Sequence, residues 1–89
     1  MPRDLPVAAY HFGQSAEAGN ADAQLMLSRI YILGDGVKQD PAKAFFWALL
    51  GAAQNPDLAE WHFDKLRGQL NIEQMDRIRA QSKDWVSKG

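Results

Sequence analysis

A self-similarity at an offset of 36 residues (Asp4 onto Asp40) constrains this 89-residue chain more than any other feature of its sequence. The matching pairs at this offset are Asp4 and Asp40, Ala8 and Ala44, His11 and Trp47, Ala16 and Ala52, Ala23 and Ala59, Leu27 and Phe63, and Ile30 and Leu66. Helix-turn-helix units that repeat at such a period are typical of α-solenoids, in which each hairpin buries its apolar face against its neighbours. The sequence therefore predicts an all-α, right-handed solenoid of antiparallel helical hairpins, with about five helices.

Capping residues mark where the predicted helices begin and end. Glycines in Gly19-Asn20 and Gly34-Asp35-Gly36 provide the left-handed backbone that ends a helix, and Asn or Asp followed by proline, at 40–41 and 55–56, starts one. Asn71 and Gln74 form a capping-box pattern. The predicted helices cover residues 4–18, with Asp4 as the cap, and then 21–33, 41–54, 57–69 and 72–86.

Apolar spacing assigns a role to each helix. The third helix is apolar nearly all round and is predicted to lie between two others, whereas the other helices have one apolar stripe. The predicted stripes are Ala23, Leu27, Ile30 and Tyr31 in the second helix, Ala59, Phe63, Leu66 and Leu70 in the fourth, and Ile72, Met75, Ile78 and Trp85 in the fifth. The fifth helix alternates this stripe with charges, as a terminal cap on a stack does.

These patterns divide a single predicted repeat domain, residues 1–89, into four parts. Residues 4–19 are predicted to be the second helix of a preceding repeat, and residues 20–54 a full repeat. Residues 55–70 form a degraded repeat helix without the Gly-x-Gly turn, and residues 71–87 form the C-terminal capping helix.

Composition and charge exclude several classes of function. The formal charge is −1 without a basic block, so neither nucleic acid nor an anionic membrane is expected as a partner. The chain has no cysteine and two histidines, His11 and His62, on different predicted helices, so no metal site, cofactor or catalytic centre is expected. Gly34-Asp35-Gly36-Val37 lacks the Lys-Ser/Thr that a phosphate-binding loop requires and is interpreted as a turn.

The predicted binding surface lies on the first helices of the repeats, which line the concave side of such solenoids. Its candidate residues on the central repeat are Leu25, Met26, Arg29, Ile32 and Leu33, and one repeat later Trp61, His62 and Lys65. Trp, Met and Arg are enriched in binding interfaces. Packing of Leu25, Ile32 or Trp61 on the closing helix is the alternative interpretation, since a buried Trp or Leu contributes about 1.5–3 kcal/mol.

The central stretch also resembles the Sel1-like repeat, a relative of the tetratricopeptide repeat. The residues that carry the resemblance are Ala18 to Gln24, Leu27, Tyr31, Gly34, Gly36, Val37, Asp40, Lys43, Ala44, Trp47 and Ala52. Ser28 stands where the family usually has glycine, and Gly51 where it usually has alanine. The resemblance implies a non-enzymatic adaptor that binds a protein or peptide, in a family whose members are frequently bacterial.

Two functions remain open at this point. In the first, a partner peptide or helix docks on the first-helix surface, where Leu25, Ile32 and Trp61 supply burial and Arg29 and Lys65 supply orientation. In the second, two copies of the chain associate through the open edge of the first helix, residues 4–18, which has no preceding partner helix in this sequence.

Overall fold

Five helices joined by short connections form the described part of the chain. The computed structural model describes the backbone of residues 5–88 and the side chains of residues 10–86. The helices are α1 (Leu5–Glu17), α2 (Ala21–Leu33), α3 (Pro41–Gln54), α4 (Pro56–Leu66) and α5 (Ile72–Lys88). Residues 5–88 contain no strand, and the predicted all-α repeat fold is confirmed. Among them, no helix is long and apolar enough to cross a membrane.

The predicted caps determine where α2 and α3 begin and where α2 ends. Asn20 Oδ1 accepts a hydrogen bond from Ala23 N at 2.8 Å, and Asp40 Oδ1 accepts one from Lys43 N at 3.1 Å. Gly34 ends α2 with φ of 73°, a backbone conformation that residues other than glycine rarely adopt. Asp4, the predicted cap of α1, lies outside the described residues.

The predicted caps of α4 and α5 differ from each other. Asn71 and Gln74 make both bonds of the predicted capping box: Asn71 Oδ1 accepts from Gln74 N at 2.8 Å, and Gln74 Oε1 from Asn71 N at 3.0 Å. Asn55 precedes α4 as predicted but makes no side-chain cap bond. The predicted end of α4 at residue 69 was wrong: the helix stops at Leu66, and Gly68 takes φ of 83°.

Helix α3 lies at the centre of the fold and packs against α2, α4 and α5. Its fully buried alanines, Ala44 and Ala48, allow these neighbours to approach closely. At Gly51 the approach is closer still, since a Cβ atom there would lie 2.6 Å from both Cγ and Cδ2 of Leu25. The prediction that α3 is buried on more than one side is thus confirmed.

Two apolar clusters form the core, and Tyr31 packs against both of them. The first contains the buried side chains Ala44, Phe45, Leu66 and Ile78, and the second Ala16, Ala23 and Leu27. Helix α5 is attached through Ile78 and through an edge-to-face contact of Trp85 with Trp47, whose ring centroids are 6.1 Å apart. The predicted apolar stripe of α5 was wrong at its first residue, because Ile72 is 71% exposed. Ser82, which the predicted stripe did not include, is buried.

Candidate functional site

Helices α2 and α4 leave a groove of about 250 Å³ between them, and we refer to it as the α2–α4 groove. Its walls are Asp22, Leu25, Met26 and Arg29 from α2, and Leu58 and His62 from α4. The floor is apolar, and Asp22 and Arg29 lie seven residues apart on the same helix. At a rise of about 1.5 Å per residue, this spacing separates the Cα atoms of the two residues by roughly 10 Å along the axis of α2.

Four of the eight predicted binding residues line this groove: Leu25, Met26, Arg29 and His62. Two more lie beside His62 on α4 but do not line the groove: the Trp61 ring is edge-on to His62 at 5.0 Å, and Lys65 Nζ is 5.8 Å from the centre of the Trp61 ring. Trp61 lines a separate pocket with Phe63 and Arg67. The sequence prediction missed Asp22 and Leu58. Leu58 stands three and four residues before Trp61 and His62, a spacing that places it on the same helix face.

The last two predicted residues lie elsewhere. Ile32 is half-buried and packs on the cluster of Ala44, Phe45, Leu66 and Ile78, outside the groove. Leu33, in the last turn of α2, is 43% exposed and does not line the groove. Leu25 lines the groove but is only 6% exposed, so it forms the floor and not a protruding anchor. Partner binding by all eight residues stays a prediction.

A chain of hydrogen bonds fixes the imidazole of His62 in the wall of the groove. The Ser28 hydroxyl donates to the Ala44 carbonyl oxygen at 2.8 Å, and Ser28 Oγ lies 3.2 Å from His62 Nδ1. Because the single hydroxyl hydrogen of Ser28 is already given to Ala44, Oγ can only accept at the second contact. His62 Nδ1 therefore carries a hydrogen, and in the neutral ring Nε2 carries a lone pair.

The surroundings of His62 favour that neutral ring. Burial, and to a smaller extent the positive charge of Arg29, lower the pKa of His62 below its ordinary value of 6.5. Arg29 itself makes no ion pair with any residue of the described part of the chain. At neutral pH the groove thus contains a hydrogen-bond acceptor, Nε2, close to a cation whose donors are not held by a carboxylate.

The Ser28–His62 contact is not a nucleophile–base pair. A nucleophilic serine gives its hydroxyl hydrogen to the histidine and must be open to substrate. Ser28 instead donates to Ala44, and the residue is fully buried. The pair therefore serves to orient the imidazole.

A larger cleft of about 530 Å³ lies between α3, α4 and α5. Its walls are mainly apolar, and Arg67 and Arg79 are its cations. Each of them lies near an aspartate three residues before it, at 3.6 Å from Asp64 and 3.7 Å from Asp76. Since these guanidinium groups already have acidic partners, the α2–α4 groove is the better candidate for recognising a polar group. Across residues 5–88, no set of three or more His, Cys, Asp or Glu side chains could hold a metal ion.

The family model of the Sel1 repeat matches residues 1–20 and 21–56 of the chain. The chain belongs to the Sel1 repeat family. No curated protein and no solved structure matched it. Sel1 repeats are α-solenoid units that generally mediate protein–protein interactions and are typically non-enzymatic. The second match spans α2 and α3, so α4 and α5 lie outside it. The groove therefore joins the first helix of a Sel1 repeat to a helix beyond the matched part.

The lowered pKa of the buried His62 predicts that the stability of this Sel1 repeat protein depends on pH. The pKa of His62 is lower in the folded chain, so between 6.5 and the folded pKa the unfolded chain binds more protons. We expect the free energy of unfolding to fall as the pH is lowered from about 7.5 to about 5.5, and urea titrations at both pH values would measure it. His62→Asn should reduce this dependence, whereas His11→Asn, at an exposed position, should leave it unchanged. An equal dependence in the wild type and His62→Asn would contradict the assignment.

Proposed function

We propose that this chain is a non-enzymatic protein-interaction module whose α2–α4 groove receives a peptide or helix of a partner protein. The observation that carries the proposal is the combination of an apolar groove with a cation, Arg29, that is paired with no described carboxylate. The proposal includes the predicted division of the chain into a half repeat, a full repeat, a degraded repeat helix and a capping helix. In this division the groove lies between the full repeat, which contains α2, and the degraded repeat helix α4.

Exposed apolar side chains around the groove support this proposal. Met26, Leu58 and Trp61 are 37%, 59% and 40% exposed, and they lie in or beside the groove. Aromatic residues and methionine are enriched in interfaces because they bury much area on binding. Lys65 lies over the Trp61 ring and stands three residues after His62, a spacing that places this second cation on the same side of α4 as His62.

The charge reversal Arg29→Glu with Lys65→Glu tests this surface. We expect capture of peptides selected from a displayed library of random sequences to weaken by roughly tenfold or more, about 1.4 kcal/mol, because both cations at the groove change sign. The midpoint of thermal unfolding should stay the same, since both side chains are exposed.

Lys38→Glu with Lys83→Glu is the matched control, because it makes the same charge change at exposed positions away from the groove. Peptides selected on the wild type should bind this control as they bind the wild type. Equal binding by the Arg29 and Lys65 variant would remove the groove from consideration.

Self-association through α1 is the second proposal, and one observation favours it. Tyr10 on α1 is 62% exposed, although its hydroxyl accepts a hydrogen bond from Gln14 Nε2 at 2.8 Å. A ring presented in this way could be covered by a second copy of the chain. Light scattering across a concentration series separates the two functions, since a monomer up to high micromolar concentration would exclude the pairing.

A further inference from the structure

The hydrogen-bonding pattern of the groove specifies what its occupant must offer. With Nδ1 donating to Ser28 Oγ, the neutral His62 ring leaves Nε2 as an acceptor. Arg29 lines the same groove and contributes only donors. An occupant that satisfies both side chains needs an N–H or O–H donor and an acceptor oxygen close together.

We propose that the α2–α4 groove recognises a carboxamide, the side chain of a glutamine or asparagine within a peptide segment of the partner. The amide NH₂ donates to His62 Nε2 and the amide oxygen accepts from the Arg29 guanidinium. Apolar residues of the same segment lie on Leu25, Met26 and Leu58, which form the rest of the groove. This inference rests on the proposed function, because it names the chemistry of the partner for the same site.

A carboxylate fits this arrangement less well at neutral pH. Its two oxygens are both acceptors, so one of them would face the lone pair of Nε2 unless His62 bound a proton. Burial and Arg29 oppose that proton by lowering the pKa of His62. The amide pays no such cost, since it supplies the hydrogen itself. Discrimination of this kind is large where buried polar groups would otherwise be left unpaired.

Other charged groups around His62 leave this assignment intact. From α2, Arg29 and Asp22 line the groove beside the ring. From α3, the contact is the Ala44 carbonyl through Ser28, and the one charged residue of that helix, Lys43, lies over the Tyr31 ring at 5.5 Å. Helix α4 itself carries Asp57, Glu60, Asp64 and Lys65, all exposed. Among these groups, Arg29 is the one that shifts the pKa of His62.

A library of random twelve-residue peptides displayed on phage and selected on the wild-type protein at about pH 7.5 tests the proposal. We expect selected peptides whose binding needs Arg29 and Lys65 to share a glutamine or asparagine flanked by apolar residues. Synthetic versions with Gln→Glu or Asn→Asp at that position should bind roughly tenfold or more weakly. This difference should shrink as the pH is lowered to about 5.5, because adding a proton to His62 then costs less free energy and a protonated ring can donate to a carboxylate.

Two variants separate recognition from folding. In His62→Asn the side-chain NH₂ takes the place of Nδ1 and can still donate to Ser28 Oγ, but no acceptor remains at the position of Nε2. We expect this variant to fold and to bind the amide and acid peptides with a difference of less than about twofold. In Ser28→Ala the acceptor that keeps the hydrogen on Nδ1 of His62 is removed, so the ring can also carry its hydrogen on Nε2. Part of the preference for the amide peptide should then be lost, although His62 is still present.

Nitrogen-15 shifts of the His62 imidazole report the position of the hydrogen directly. A hydrogen on Nδ1 at neutral pH is expected, and a hydrogen on Nε2 would overturn the inference. Selected peptides that need Arg29 and Lys65 but share Asp or Glu, or no polar residue at a fixed position, would also overturn it while leaving the proposed function in place. Failure to select any peptide whose binding depends on Arg29 and Lys65 would overturn both.

Discussion

Phe45→Ala is expected to lower the free energy of unfolding by about 3–5 kcal/mol, the range found for buried phenylalanine truncations. The Phe45 ring is 4% exposed and lies where α3, α4 and α5 meet. It contacts Phe63 edge-on at 5.9 Å, and the Arg79 guanidinium lies 5.5 Å from its centre. For a chain of 89 residues the whole stability is of the order of 4–13 kcal/mol, so this loss would remove between roughly a quarter and all of it.

Phe46→Ala is the matched control because it removes the same side chain from the next position of α3. Phe46 is half-buried and contacts Trp47 at 5.0 Å, so less area is lost on truncation. Urea titrations followed by circular dichroism would measure both variants. Losses of equal size would show that Phe45 is not the central contact between these helices.

Leu25→Ala is expected to cost about 2–5 kcal/mol, and its effect should depend on Gly51. Alone, Gly51→Ala places a Cβ atom 2.6 Å from Cγ and Cδ2 of Leu25. Overpacking of this kind costs about 1–3 kcal/mol, offset by up to about 1 kcal/mol from the higher helix propensity of alanine. When Leu25 is also shortened to alanine, the clash is gone and the new methyl group occupies part of the space.

A double-mutant cycle measures this dependence. We expect the loss in Leu25→Ala with Gly51→Ala to be smaller than the summed losses of the two single variants by about 1 kcal/mol or more. Additive losses would mean that α2 and α3 move apart in Gly51→Ala, so that the new Cβ atom does not clash with Leu25.

Sequence alone predicted the fold class and most helix boundaries because local chemistry determines them. Asn20, Asp40 and the Asn71–Gln74 pair satisfy helix N–H groups within their own segments, so neighbouring residues suffice to identify them. The end of α4 was missed because Leu70 continues the apolar spacing, although Gly68 has already turned the backbone. Leu70 packs on the cluster that contains Leu66, although it lies beyond the end of α4.

The candidate site was only partly predictable, because α2 is covered on more than one side. The predicted stripe omitted Gln24, which bonds to Ala16 of α1, and also Leu25 and Ser28, which meet Gly51 and Ala44 of α3. Gln24, Leu25 and Ser28 are therefore buried although the stripe excluded them. His62 is buried for the same reason, and its bond to Ser28 joins residues 34 positions apart, a distance at which no local pattern gives a signal.

Leu25 packs between α2 and α3 and also forms the floor of the groove. An occupant of the groove would therefore rest on a side chain that must be released when the chain unfolds. Ligand binding and folding then share one thermodynamic cycle, in which a ligand at one hundred times its Kd adds about 2.7 kcal/mol to the stability of the folded state. The fraction of folded chain would rise with partner concentration, so a thermal-shift measurement would detect a partner before its contacts are known.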